Sequence, residues 1–200
     1  MATLFYQGHG SFRLETTQGK VIYVDPFAGE GYDKPADLIL VTHDHYDHNC
    51  IDKPARAPGC TLITWKEALE GGHYGQFTLR DIQVQAVPAG NKNHDPSCCV
   101  GFVITLDGVT VYASGDTSLI PSMEETLAPM KLDYAILPID GVYNMDASEA
   151  SRCASVIGAR HSIPVHTCPS DNGLLYDPEN AARFQCDGRI LVSPGETIQL

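Results

Sequence analysis

Short apolar runs, broken by glycine, proline and acidic turns, recur along the whole chain, and most are too short for a helix. Residues 4–6 and 11–15 read as a hairpin around Gly8-His9-Gly10, and residues 20–24 as a strand closed by Asp25-Pro26. Residues 28–37 are loop. Residues 38–42 form an uninterrupted branched run, the pattern of a buried strand. Residues 49–60, with Pro54, Pro58 and Gly59, read as an irregular connection, followed by a short strand at 61–64 and a short helix at 65–70 stopped by Gly71-Gly72. Strands are expected at 76–79 and 82–87, and at 100–106 and 109–113 about the Asp107-Gly108 turn. Ser122 with Glu125, and Asp146 with Glu149, have capping-box spacing and predict helices ending near 128 and 159. Strands at 134–139 and 163–165 follow, then a closing hairpin from 189–192 and 197–200 around Pro194-Gly195. Without a long linker or low-complexity segment, one domain over residues 1–200 is expected.

The apolar runs end abruptly in metal-ligand residue types: Asp25, His43, Asp116, Asp140 and His166. Densest is His43-Asp44-His45-Tyr46-Asp47-His48. Ionisable groups so crowded resist burial unless a cation sits among them. Imidazole with carboxylate suits zinc, and also manganese, iron or nickel. On extended chain His43 and His45 point to the same side, whereas Asp47 and His48 both reach inward only if the chain turns. The simplest arrangement gives one ion His43 and His45 and a second Asp47 and His48. His94, Asp116 and His166 supply further ligands. His73 competes with His94, which is preferred because it lies between the strand pair and the hairpin.

Asp25 is expected to orient a metal-bound histidine. His9 either lines the pocket or fills its glycine turn. Asp140 and Tyr143 are pocket candidates. His161 reads as structural, favoured by a helix C-terminus.

Composition narrows the function classes. With 13 Lys+Arg against 25 Asp+Glu, the net charge of −12 opposes binding to nucleic acid or anionic lipid, but not to a small anion beside a metal. No apolar run approaches the roughly 18 residues of a membrane span. The N-terminus lacks the basic start and apolar core of a signal peptide. Seven cysteines, odd in number and without a C-x-x-C pair, favour a reduced, cytoplasmic setting, with free buried thiols the default.

The six-residue stretch resembles the H-x-H-x-D-H motif of the metallo-β-lactamase superfamily. The later order is similar too: His94 before a hairpin, Asp116 closing Val111-Tyr112-Ala113-Ser114-Gly115, and His166 after a strand. Gly8-His9, Val24-Asp25-Pro26 and the segment Asn144 to Ala150 resemble its small metal-dependent hydrolases, the ascorbate-6-phosphate lactonase and N-acylphosphatidylethanolamine phospholipase D relatives. The resemblance implies an α/β fold, a four-layer αβ/βα sandwich of two mixed sheets flanked by helices. It further implies two divalent ions, Zn2+ first and Mn2+, Fe2+ or Ni2+ as substitutes. His43, His45 and His94 would hold one, Asp47, His48 and His166 the other, and Asp116 would bridge them.

The implied activity is attack of a metal-activated water on a phosphoester, lactone or amide-type bond of a small molecule, with Asp47 and Asp116 the catalytic carboxylates. The alternative is a mononuclear iron dioxygenase of the same fold acting on thiols or persulfides. No sequence is left over for a nucleic-acid clamp, and a homo-oligomer is compatible with the chain.

Overall fold

The computed structural model describes residues 1–169 and 173–200. Its strands in chain order are β1 (Thr3–Gly8), β2 (Ser11–Glu15), β3 (Val21–Val24), β4 (Ala36–Val41), β5 (Arg56–Thr64), β6 (Gln76–Leu79), β7 (Ile82–Pro88), β8 (Val100–Leu106), β9 (Val109–Ala113), β10 (Tyr134–Pro138), β11 (His161–Val165) and β12 (Thr197–Gln199). The helices are α1 (Trp65–Ala68), α2 (Ser122–Thr126), α3 (Ala147–Ile157) and α4 (Pro178–Arg183).

The strands form two mixed sheets, ordered β12-β1-β2-β3-β4-β5 and β11-β10-β9-β8-β7-β6. In the first, β12 to β3 pair antiparallel and β3-β4-β5 parallel. In the second, β6 to β9 pair antiparallel and β9-β10-β11 parallel. Alternation along the strands sends Tyr6, Leu14, Ile22 and Leu40 of one sheet, and Phe102, Ile104, Val111 and Ile136 of the other, into a shared core.

The helices flank the sandwich unevenly. The outward residues Tyr112 and Leu137 of the second sheet pack in one cluster with Ala150, Cys153 and Ile157 of α3. On the first sheet, Tyr23, Ile39 and Val41 are covered by loop side chains, Tyr32 and Ile51. The described residues contain no helix long and apolar enough to cross a membrane.

Several local expectations need correction. β5 begins at Arg56, inside the expected irregular connection. The pairing jumps from Ala36↔Arg56 to Leu38↔Thr61, so Pro58 and Gly59 are absorbed as an irregularity, which an edge strand tolerates because its outer N–H groups have no partner strand. Ser122 is no cap: Pro121 precedes a five-residue α2 and makes no side-chain bond. Thr64 and Glu67 form a full capping box instead. Asp146 does cap α3, accepting from Glu149 N–H at 2.7 Å, but the Glu149 carboxylate turns away to accept from Leu119 N–H at 3.1 Å. Helix α3 ends at Ile157 because Gly158 takes the left-handed conformation, φ 66°. His161 therefore opens β11, its Nδ1 3.2 Å from Gly188 O, rather than ending a helix.

The closing hairpin does not form. Ile190 N–H donates to Ser162 O at 2.9 Å beside β11, while β12 pairs with β1 through Leu4↔Ile198. The tail splits because each sheet offers it an unpaired edge. Helix α4 was not expected, although Asp177-Pro178-Glu179 is an N-cap signal: Asp177 accepts from Glu179 N–H at 2.9 Å.

Candidate metal centre

Parallel pairing explains why the site residues meet. Strands β3 and β4 run the same way, as do β9, β10 and β11, so the segments leaving their C-terminal ends collect at one edge of each sheet. Backbone contacts join the two edges: His166 N–H donates to His9 O at 2.8 Å, and Val100 N–H donates to Thr42 O at 3.0 Å. His9, Asp25 and His166 follow β1, β3 and β11 with φ of 51°, 46° and 47°. This left-handed conformation is costly for residues with a Cβ, and it persists only where the surroundings over-determine it. Here it turns three site residues sharply off their strands.

The inner geometry centres on Asp116, buried at 3% exposure. Its Oδ2 lies 3.2 Å from His94 Nε2, 3.6 Å from His166 Nε2 and 4.0 Å from His43 Nε2. Its Oδ1 lies 3.4 Å from His48 Nε2. The His43 and His48 Nε2 atoms are buried and make no hydrogen bond among the described residues.

The outer nitrogen of each ring is tethered. His48 Nδ1 lies 2.9 Å from Asp25 Oδ2, His94 Nδ1 2.9 Å from Asn91 Oδ1, and His166 Nδ1 3.2 Å from Asp140 Oδ2. His43 Nδ1 lies 3.0 Å from Thr42 Oγ1, whose own proton goes to Asp25 Oδ2 at 2.7 Å. The Thr42, Asp25 and Asn91 oxygens accept, so Nδ1 of His43, His48 and His94 donates and their Nε2 atoms are left with a lone pair aimed at a carboxylate, whereas His166 Nδ1 only lies beside Asp140 Oδ2 without the alignment of a hydrogen bond. Acceptors facing acceptors in a buried space repel. A cation among them removes the conflict, so the donor set fits divalent metal.

The ligand atoms group accordingly. Those of His43, His45 and His94 lie within 4.8 Å of one another, as do those of His9, Asp47, His48 and His166. Asp25 also approaches His43 and His48, but Oδ1 accepts from Thr42 N–H at 2.8 Å and Oδ2 serves Thr42 and His48. It therefore stands behind the rings.

The charges respond to this crowding. Burial, then the neighbouring His48, pushes His43 well below the usual histidine range. Burial alone would lower His48 as well, but Asp116 and Asp25 raise it to about 9. His166 is likewise raised against its burial by Asp116 and Asp140. Burial would raise Asp116, yet His48 and His166 hold it well below the carboxylate range. Without metal, the cluster draws protons into the places cations would take.

A cavity of about 450 Å³ opens over this floor. His45, Asp47, His94, Asp116 and His166 line it, together with Tyr46, Asn93 and Tyr143. His43 and His48 lie beneath. His9 is fully buried, its Nε2 3.1 Å from Asp47 Oδ2 and its ring 3.6 Å from that of His166. It therefore touches the cluster rather than merely filling a turn. Asp140 supports His166, and Tyr143 reaches the cavity wall. His73 is exposed and outside the cluster.

Sequence reasoning missed Asn144, whose Nδ2 donates to Asp116 Oδ2 at 3.0 Å and to Asp140 Oδ2 at 2.8 Å. It also missed the tethers Thr42 and Asn91. Gly10 escaped notice too: a Cβ there would stand 2.7 Å from His48 Cε1.

Comparison with known proteins agrees with this architecture. A family model described as a beta-lactamase superfamily domain matches residues 3–166. A UPF0173 metal-dependent hydrolase from Thermococcus kodakarensis is 30% identical over 232 aligned positions, covering 100% of both chains. Another, from Methanosarcina mazei, is 31% identical over 225 positions and 96% of each chain. The crystal structure of a proposed metal-dependent hydrolase from Parabacteroides distasonis superposes with a TM-score of 0.75 at 26% identity, covering 95% of this chain and 92% of that one.

Proposed function

We propose that this chain, which belongs to the metallo-β-lactamase superfamily and is a metal-dependent hydrolase within it, is a dinuclear enzyme acting on small molecules. The bond would be a phosphoester, lactone or amide-type bond. The observation that carries the reading is the convergence of four Nε2 atoms on the Asp116 carboxylate, each ring held from behind.

His43, His45 and His94 would hold one ion, Asp47, His48 and His166 the other, and Asp116 would serve both. Zinc is the first choice. Bound there, divalent ions supply Lewis acidity toward a carbonyl or phosphoryl oxygen and acidify a water for attack at neutral pH. The chain's own part is positional. Thr42, Asp25 and Asn91 keep the His43, His48 and His94 imidazoles in one tautomer and orientation, and the Asp140 carboxylate sits beside the His166 ring. His9 donates to Asp47 Oδ2, fixing a carboxylate on the cavity wall where it can take the proton of the attacking water and pass it to the leaving group.

The net charge of −12 favours a small substrate over nucleic acid or an anionic membrane. The reduced cysteine complement favours the cytoplasm. Elemental analysis of purified, metal-loaded protein, with phosphodiester, lactone and amide substrates, tests the reading. Two ions per chain and chelator-sensitive hydrolysis are expected. Less than about one ion per chain without chelator-sensitive hydrolysis would overturn it. One iron per chain with oxygen uptake on a persulfide would replace it with the dioxygenase reading.

A further inference from the structure

We infer that the substrate is an uncharged acyl compound, a lactone, ester or amide with an apolar body, bound against Tyr46 and Tyr143. This rests on the hydrolase reading above and narrows it away from phosphorylated substrates.

Apart from the histidine and aspartate floor, the cavity wall consists of Tyr46, Asn93 and Tyr143. Among the described residues, no lysine or arginine lines it. Lys92, between Asn91 and Asn93, lines the adjoining groove, where Asp146 and Glu149 accompany it.

Charge inside the site points the same way. Asp25, Asp47, Asp116 and Asp140 all contact the histidine cluster, and these four carboxylates balance two divalent ions. The loaded site has no surplus positive charge for a substrate phosphate, and no guanidinium or ammonium of the described residues stands on the wall to hold one.

The tyrosines, by contrast, are offered. Tyr46 is 63% and Tyr143 41% exposed, and both line the cavity. Tyr46 packs edge-on to Phe27 at 5.8 Å, and Phe27 packs in turn on His9. The backbone of Tyr143 is fixed: its N–H donates to Asp140 Oδ1 at 2.7 Å, and its carbonyl accepts from Asn91 Nδ2 at 3.0 Å and Asn93 Nδ2 at 2.9 Å. A ring on an anchored loop gives an apolar group a wall at little ordering cost. In the reaction, water adds to the acyl carbon and the C–O or C–N bond breaks. The water's proton ends on the departing alcohol or amine, so the products are an acid and an alcohol or amine.

The test uses metal-loaded wild type, Tyr46→Ala and Tyr143→Ala. Substrates are γ-butyrolactone, γ-decalactone, 4-nitrophenyl phosphate and bis(4-nitrophenyl) phosphate. Calorimetric titration with N-cyclohexyl-2-pyrrolidone, a neutral compound, and with phenylphosphonate reads binding without turnover. Chelator-sensitive kcat/KM should rise about tenfold or more from γ-butyrolactone to γ-decalactone. Each tyrosine variant should lose most of that rise and bind the pyrrolidone roughly tenfold more weakly, with metal content and phenylphosphonate affinity unchanged. Chelator-sensitive turnover that favours the phosphates, or a chain-length gain that survives both substitutions, would overturn the inference. Absence of chelator-sensitive hydrolysis of every substrate would instead overturn the hydrolase reading, while the pyrrolidone titration still reports on the tyrosine wall.

Discussion

The floor and the rim of the cavity are built on opposite principles. On the floor, His43, His48, His94 and His166 are buried and each is backed by a second residue that makes further bonds: Thr42 to Asp25, Asp25 to Thr42, Asn91 to Asn93 and Tyr143, and Asp140 to Asn144. On the rim, Tyr46 and Tyr143 expose much of their rings, and the Tyr143 backbone N–H is held by Asp140. A reacting centre tolerates little displacement, so its groups are fixed from behind. A recognition wall can exchange side chains without disturbing the chemistry beneath. The contrast implies that floor substitutions cost metal and activity together, and rim substitutions change selectivity alone.

The largest break should come from Asp116→Ala, which removes the carboxylate all four rings approach. Bound metal per chain should fall, and kcat/KM should drop on the order of a thousandfold; retention of both ions with near wild-type turnover would contradict the central role of Asp116. Next is Gly10→Ala, where the added methyl strikes the His48 ring. Overpacking should cost about 1–3 kcal/mol in denaturant unfolding, and competition with a chromogenic chelator should show weaker metal binding. Asn144→Ala deletes the amide joining Asp116 to Asp140, and metal affinity should weaken by about tenfold. Asn144→Asp should be worse, because it sets a third carboxylate beside two. Smallest is Tyr143→Ala on stability, within about 0.5 kcal/mol with metal content intact. A metal-depleted Tyr143→Ala protein would erase the distinction between floor and rim.

This division also governs what could be read from the chain alone. Ionisable residues closing apolar strands violate the hydrophobic pattern, so Asp25, His43, Asp116, Asp140 and His166 stand out. Parallel pairing then brings their strand ends together, along with His94 rather than His73. Thr42, Asn91 and Asn144 were invisible because hydroxyls and amides are ordinary turn chemistry, and only three-dimensional placement shows whether they face a histidine. Gly10 is similar: its φ is unremarkable, and its constraint is a ring 38 positions away. In the fold, strand periods were legible, but edge pairing was not. The run 189–192 followed by Pro194-Gly195 satisfies the local hairpin pattern, while β1 and β11 are the distant competitors that take the two halves apart. Likewise Ser122 has the capping-box spacing, and Pro121 before it occupies the cap position.

That split tail bears on how copies of the chain can meet. An outermost strand with unpaired backbone groups is a template for another molecule to join. Here the strand beyond β1 is three residues long, β11 is shielded by Arg189 and Ile190, β6 has four residues, and β5 is kinked at Pro58 and Gly59. None of these margins is both long and straight. Short or irregular edges of this kind give a second molecule little template along which to extend a sheet.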